Sequence, residues 1–188
     1  MSKAISALEG ASFSGLANIS ESGLTGMITV RGDFSNAVFQ KNIELATGCT
    51  VPSIRKISQS GSNTVVWMSP DELLIVTAHV NAQGLVLQLE EALKDQHALV
   101  ANVSDARVCF SISGVDAREV LSKLAPVDFT ETEFQAGDVR RTRVAQIAAA
   151  VWQDDSGDFT LVCFRSVAEY AFNLLKTAAH PLSGVMAQ

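Results

Sequence analysis

Val65-Val66-Trp67-Met68-Ser69-Pro70-Asp71-Glu72-Leu73-Leu74-Ile75-Val76-Thr77 holds two short apolar runs separated by four turn-forming residues. Residues 65–68 and 73–77 are too short for helices and carry β-branched side chains, so each reads as a strand. Ser69-Pro70-Asp71-Glu72 makes the turn between them, because proline presets φ and aspartate can bond its own backbone.

Upstream, residues 27–30 read as another strand. Asp33 or Ser35 can cap a following helix that carries Val38, Phe39, Ile43, Leu45 and Ala46, and Gly48 stops it. Residues 49–63, with Pro52 and Gly61, read as a loop. Downstream, Leu85, Leu87, Leu89, Ala92 and Leu93 form the broad apolar side of a helix, and residues 98–103 a further strand. The order is β-α-β-β-α-β, the ferredoxin-like or split βαβ arrangement.

The pattern then restarts. Residues 108–113 read as a strand and 115–124 as a helix with Val120, Leu121 and Leu124 inward. A loop over 126–137, strands over 141–152 and 159–164, and a helix over 167–178 follow. Arg31-Gly32 corresponds to Ser113-Gly114 at an offset of 82, and Val66-Trp67 to Val151-Trp152 at an offset of 85. Leu93 falls near Leu175 in the same order. The expectation is an α+β fold of two duplicated ferredoxin-like β-α-β-β-α units sharing a core. The first 25 residues hold six Ser, three Gly and one Thr, which suggests a weakly held, flexible arm. The expected division is therefore 1–25 arm, 26–103 first subdomain and 104–188 second subdomain. Trp67 and Trp152 read as equivalent core anchors.

The chain has 188 residues, 14 Lys+Arg against 20 Asp+Glu, and a formal charge of −6. That field disfavours nucleic acid and anionic membranes as partners. A hydrophobic fraction of 47% with 18% charged residues is ample for a buried core. Three scattered cysteines, Cys49, Cys109 and Cys163, form neither a disulfide framework nor a CxxC motif, so a cytoplasmic location is expected.

The search for chemistry yields no catalytic, cofactor-binding or metal-ligating set. His79, His97 and His180 lie far apart, with no HxH or HExxH spacing. Cys163, before Phe164-Arg165, is the best placed thiol, yet its strand context favours a small buried hydrophobe. Asp154, Asp155 and Asp158 around Ser156-Gly157 read as a hairpin turn rather than a calcium loop. Arg140, Arg141 and Arg143 are the one basic cluster. Period-two alternation puts Arg141 and Arg143 on one face and Arg140 on the other. Paired guanidiniums suit a carboxylate, a phosphate or an acidic partner patch, and they equally suit an exposed strand end kept soluble by charge.

Several segments in order resemble the gamma-subunit family of heterotetrameric sarcosine oxidases. They are Val30-Arg31-Gly32-Asp33, Trp67-Met68-Ser69-Pro70-Asp71-Glu72-Leu73-Leu74, and Val103-Ser104-Asp105-Ala106-Arg107. Ser113-Gly114-Val115-Asp116-Ala117-Arg118-Glu119-Val120-Leu121, Gly137 with Arg141-Thr142, Val151-Trp152, and Arg165-Ser166-Val167-Ala168-Glu169-Tyr170 continue the match. Leu73, Val115 and Ala125 depart from the family pattern, where an aromatic, a proline and a cysteine are usual.

The resemblance implies a fold similar to the folate-binding domains of aminomethyltransferases. It also implies alpha, beta and delta subunits as partners, with FAD, FMN, NAD and tetrahydrofolate belonging to the whole complex and none to this chain alone. The complex would demethylate sarcosine oxidatively to glycine, passing a one-carbon unit to tetrahydrofolate, while the gamma chain itself carries no catalytic residue. Arg140, Arg141, Arg143 and Arg165 are the candidate anion or partner contacts. The alternative is a stand-alone folate-binding protein related to aminomethyltransferases or iron–sulfur-assembly factors. The length, with no room for a further C-terminal domain, and Val162-Cys163-Phe164-Arg165-Ser166 in place of a Lys-Gly-Cys-Tyr motif both weigh against it.

Overall fold

The computed structural model describes residues 4–185; the outermost parts of the expected arm and second subdomain, 1–3 and 186–188, lie outside the described residues. In chain order the strands and helices are β1 (Ser12–Ser14), β2 (Asn18–Glu21), β3 (Thr25–Arg31), α1 (Ala37–Thr47), β4 (Ile57–Ser60), β5 (Asn63–Ser69), β6 (Glu72–Ala78), α2 (His79–Leu93) and β7 (Leu99–Asn102). After a 3-10 turn come β8 (Arg107–Ser113), α3 (Ala117–Ser122), β9 (Val139–Val144), β10 (Ile147–Gln153), β11 (Phe159–Phe164) and α4 (Ala168–Ala178).

The chain divides into a central unit, Leu24–Asp105, and a flanking unit made of Met1–Gly23 with Ala106–Gln188. The central sheet has the order β4-β5-β6-β3-β7, antiparallel throughout. Since β3 and β5 are both antiparallel to β6, which lies between them, they are parallel to each other, the split βαβ expected from the sequence. Ile28, Val30, Val65, Leu73 and Ile75 from the sheet meet Phe39 and Ile43 of α1 and Leu85, Leu89 and Leu93 of α2. Asn36, rather than Asp33 or Ser35, caps α1, its Oδ1 accepting from the N–H of Val38 at 2.8 Å and of Phe39 at 3.3 Å. Asp33 instead closes a local turn onto Ser35. Gly48 ends the helix at φ 75°, as its position foretold.

The flanking sheet has the order β1-β2-β8-β11-β10-β9. Strand for strand, β9, β10, β11 and β8 repeat β4, β5, β6 and β3, so the duplicated α+β architecture holds. The fourth position differs. In the central unit β7 follows α2 and pairs with β3; in the flanking unit no strand follows α4 among the described residues, and β2 pairs with β8 instead.

That arrangement corrects the expected flexible arm at 1–25. Ile19 is buried in the flanking core, and Glu21 pairs with Phe110 across the β2–β8 ladder. The buried Glu21 carboxylate accepts from the N–H of Gly10 at 2.7 Å, the N–H of Leu8 at 3.0 Å and the Ser6 hydroxyl at 2.9 Å. A side chain at Gly15 would put its Cβ 2.0 Å from the Ala179 carbonyl oxygen, so only glycine fits there. On its helix side, each unit buries a cluster drawn from its own residues.

Three further boundaries differ from expectation. Residues 57–60 of the expected loop form edge strand β4. The expected helix over 115–124 is the shorter α3. The expected strand over 141–152 is a hairpin that turns at Ala145, which takes φ 49° without the usual Gly or Asn signal.

The tryptophans are not equivalent. Trp67 pairs with Leu73, which pairs with the core residue Val30, so its ring lies on the helix side and is half-buried. Trp152 pairs with Thr160, which pairs with Ser111, on the face opposite the helices, and it is 3% exposed. In the common framework Trp67 lines up with Gln153, whose partners Phe159 and Ile112 match Leu73 and Val30. A bulge between Trp67 and Ser69 accompanies the slip.

Candidate functional site

The first two family-like segments converge at one end of the central sheet. Arg31 closes β3 opposite Glu72 of β6, and its guanidinium donates to Glu72 Oε2 at 2.9 Å and Asp71 Oδ2 at 3.3 Å. Glu72 is buried, so this charge-assisted bond offsets its desolvation. Gly32 donates its N–H to the Asp71 carbonyl at 3.1 Å, and a Cβ there would approach Phe39 Cε2 to 2.4 Å. The glycine is thus required by close packing. These residues border an open cleft of about 560 Å³ with Pro70, His97 and the exposed Leu99 on its other walls. Ser104, in the third family-like segment, accepts from the Met27 N–H at 2.9 Å and so ties the end of the unit to β3.

The arginine set divides by role. Arg140 reaches the Val139 carbonyl at 3.0 Å and the Glu133 carbonyl at 3.2 Å, lies 3.6 Å from Asp138 and stacks 5.3 Å over Phe134. Arg165 donates to the carbonyls of Ile5 at 3.0 Å and Ser6 at 3.1 Å, clasping the N-terminal segment. Arg141 and Arg143 are exposed on β9, an edge strand of the flanking sheet, and share a face as the alternation predicted.

Sequence reasoning passed over Arg118. Its guanidinium donates to the carbonyls of Phe129 at 2.6 Å and Phe134 at 2.9 Å and to Gln153 Oε1 at 2.9 Å, and sits 5.3 Å from the Phe159 ring. One side chain therefore organises the loop between α3 and β9. Its position inside the Asp116-Ala117-Arg118-Glu119 segment was the available signal.

All three thiols are buried. Burial pushes Cys109 up to about 11 and, with the nearby Cys109, Cys163 up to about 12; burial raises Cys49 too. None is poised as a thiolate. Asp154 accepts from Ser156 and from the Asp158 N–H, closing the hairpin turn on itself. Among the described residues no group of three or more His, Cys, Asp or Glu could hold a metal ion, and no helix is long and apolar enough to cross a membrane.

Comparison with known proteins agrees with this picture of linked structural segments. The sarcosine oxidase, gamma subunit family model matches residues 31–180. The sarcosine oxidase gamma subunit of Corynebacterium sp. strain U-96 is 27% identical over 140 residues, covering 73% of this chain and 67% of that protein. The gamma subunit of strain P-1 is 27% identical over 111 residues, covering 59% of this chain and 54% of its own length. Among solved structures, a chain of the heterotetrameric sarcosine oxidase from Corynebacterium sp. U-96 superposes with a TM-score of 0.82 at 22% identity, covering 95% of this chain and 91% of that one. The aminomethyltransferase T of the glycine cleavage system from Bartonella henselae reaches 0.63 at 13% identity, covering 86% of this chain and 46% of that one. With the family matched across most of its length, from the Arg31 latch to the end of α4, this chain belongs to the sarcosine oxidase gamma-subunit family.

Proposed function

We propose that the chain serves as the gamma subunit of a heterotetrameric sarcosine oxidase, with alpha, beta and delta chains as partners. The observation that supports this most is the family match over residues 31–180, in a fold that agrees with a chain of such a complex over 95% of its length. In this reading the assembly demethylates sarcosine oxidatively to glycine, forms hydrogen peroxide and passes the one-carbon unit to tetrahydrofolate. A cytoplasmic location belongs to the same proposal.

The gamma chain is read as a structural companion without catalysis of its own. Its buried carboxylates are engaged internally: Glu21 by the N-terminal backbone, Glu72 by Arg31 and Asp138 by the Gln135 N–H at 2.8 Å. The reading assigns FAD, FMN, NAD and tetrahydrofolate to the whole complex and none of them to this chain alone. Co-expression with the matching alpha, beta and delta chains should give a stoichiometric assembly with a flavin spectrum, and the gamma chain alone should be colourless and inert toward sarcosine. Turnover of sarcosine by the purified gamma chain would overturn the proposal.

The likeness to an aminomethyltransferase supports a second reading, a stand-alone folate-binding protein. Calorimetric titration of the isolated chain with tetrahydrofolate separates the two, since only the second requires saturable binding without partners.

A further inference from the structure

Strand β9 differs from the other strands at the sheet margins. There β1 has three residues and β4 and β7 have four each, but β9 has six. Six extended residues give about 20 Å of edge. On one side β9 pairs with β10; among the described residues no strand pairs with its other side. Short edges resist a further strand, and long ones accept it.

The register tells which backbone groups point to that side. Val144 and Ile147 pair across the two-residue turn Ala145-Gln146, so they exchange ladder hydrogen bonds. Alternation then turns Val144, Thr142 and Arg140 toward β10, and Val139, Arg141 and Arg143 toward the edge. The hydrogen bonds agree. The Val139 carbonyl accepts from the Arg140 guanidinium at 3.0 Å and the Arg143 carbonyl from the Thr142 hydroxyl at 3.5 Å, both outside the ladder. On the inward side, the Asp138 carbonyl accepts from the Gln153 N–H at 3.2 Å.

The same residues carry the charge. Val139 pairs with Trp152, so Arg141 and Arg143 lie with them on the face opposite the helices, and both are exposed. They stand two residues apart, about 7 Å, the spacing of alternate side chains on a facing strand. Arg140 has a different task, because its guanidinium covers the Val139 and Glu133 carbonyls at the start of the strand. The accessible edge therefore begins at Arg141.

This combination selects its occupant. A second copy pairing β9 with β9 about a twofold axis at Thr142 would set Arg141 opposite Arg143 twice, and like charges directly opposite repel. An extended segment with Asp or Glu at alternate positions meets the same two guanidiniums as ion pairs, and the planar fork suits a carboxylate. The outward N–H and C=O groups supply the pairing, and the arginines supply the choice of partner.

We infer that β9 adds an acidic, extended segment of a partner chain as a seventh strand of the flanking sheet, paired through the backbone of Arg141 and Arg143 and selected by their side chains. The inference deepens the proposed gamma-subunit role and rests on it.

The experiment co-expresses the parent chain, Arg143→Ala and Arg143→Pro with tagged alpha, beta and delta chains and reads gamma-chain retention. Amide hydrogen exchange at residues 139–144 is read residue by residue in the free chain and in the assembly. Proline is tolerated at an edge position whose N–H faces outward, so Arg143→Pro should melt within about 3 °C of the parent. It removes both the charge and the outward donor, and should cut retention at least tenfold; Arg143→Ala removes the charge alone and should cut it less. In the free chain the Arg141 and Arg143 amides should exchange fast and those of Thr142 and Val144 slowly. On assembly the two fast amides should slow at least tenfold. Fast exchange at Arg141 and Arg143 in an intact assembly would overturn the strand addition and leave the gamma-subunit reading standing. That readout uses the parent chain, so it decides the matter even where Arg143→Pro fails to fold. Equal losses for Arg143→Ala and Arg143→Pro would overturn it too, by reducing the contact to charge. A parent chain that fails to assemble at all removes the gamma-subunit reading and this inference with it. Self-association of the free chain that slows the same two amides would give the edge to a second copy and overturn the acidic partner.

Discussion

The central and flanking units solve one problem in two ways. Each has a four-strand framework whose first strand, β3 or β8, needs a neighbour on its outer side. The central unit takes β7 from just beyond α2, so every strand comes from one continuous stretch. Among the described residues the flanking unit has only a 3-10 turn after α4, and its β8 pairs instead with β2 from the N-terminal segment. The first solution is sequence-local. The second ties the N-terminal segment to the flanking unit through the β2–β8 ladder, Glu21, Arg165 and Gly15. The lesson is that an edge position in a sheet is a vacancy defined by geometry, and any segment of suitable length and twist can fill it.

The difference can be tested by removing the borrowed part. A chain that starts at residue 24 should lose cooperative folding of the flanking unit, because β8 and the core around Phe110 lose their cover. The central unit, complete in Leu24–Asp105, should keep its hydrogen-exchange protection. Equal protection of both units in the shortened chain would remove β2 from its structural role.

The tryptophans sharpen the comparison next. Trp152→Ala should cost about 3–5 kcal/mol, as for a buried indole, and Trp67→Ala about 1–2 kcal/mol, since its ring is only half-buried. Urea unfolding measures both, and similar losses would argue that the two rings occupy equivalent sites after all.

Glu21 gives a smaller, pH-dependent effect. Burial would raise its carboxyl, but the hydrogen bonds from Gly10, Leu8 and Ser6 outweigh burial and hold it below the usual 4.5. A carboxylate with a lowered folded value contributes stability fully above the unfolded value and loses it as pH falls through the folded one. Glu21→Gln should therefore cost about 1–2 kcal/mol at pH 7 and flatten the stability curve below pH ~4.5. A parallel acid limb in mutant and parent would shift the clasp from the charge to the backbone.

The smallest expected effect is at Arg141 and Arg143. Replacing both with alanine should change stability by less than about 0.5 kcal/mol, because exposed charges contribute little. If they meet an acidic partner surface, assembly should weaken, most of all at low salt. Unchanged assembly at low ionic strength would leave them as charges that keep edge strand β9 soluble.

Legibility followed the range of each interaction. The alternation of Arg141 and Arg143, the Gly48 stop and the strands on either side of Pro70 depend on neighbours within a few residues, so their patterns could be read directly. The clasp of Arg165 on Ile5 and Ser6 joins residues about 160 apart through backbone carbonyls, which leave no mark in side-chain pattern. Arg118 escaped notice for the same reason. The Ala145 turn was missed because its left-handed residue carries no glycine or asparagine to announce it.

Apolar periodicity, turn chemistry and the repeat of one strand-helix order determined the α+β class, the duplication and most element positions, since each depends on local propensity and on which side of an element is apolar. Tertiary structure alone decided that β2 completes the flanking sheet, that the two tryptophans face opposite ways and that β9 lies at a sheet edge. Those three depend on pairing register and on which neighbour arrives across long stretches of chain. The polar pattern Ser12–Ser14 and Asn18–Glu21 is compatible with an arm or with a strand, and only a free edge on β8 selects between them.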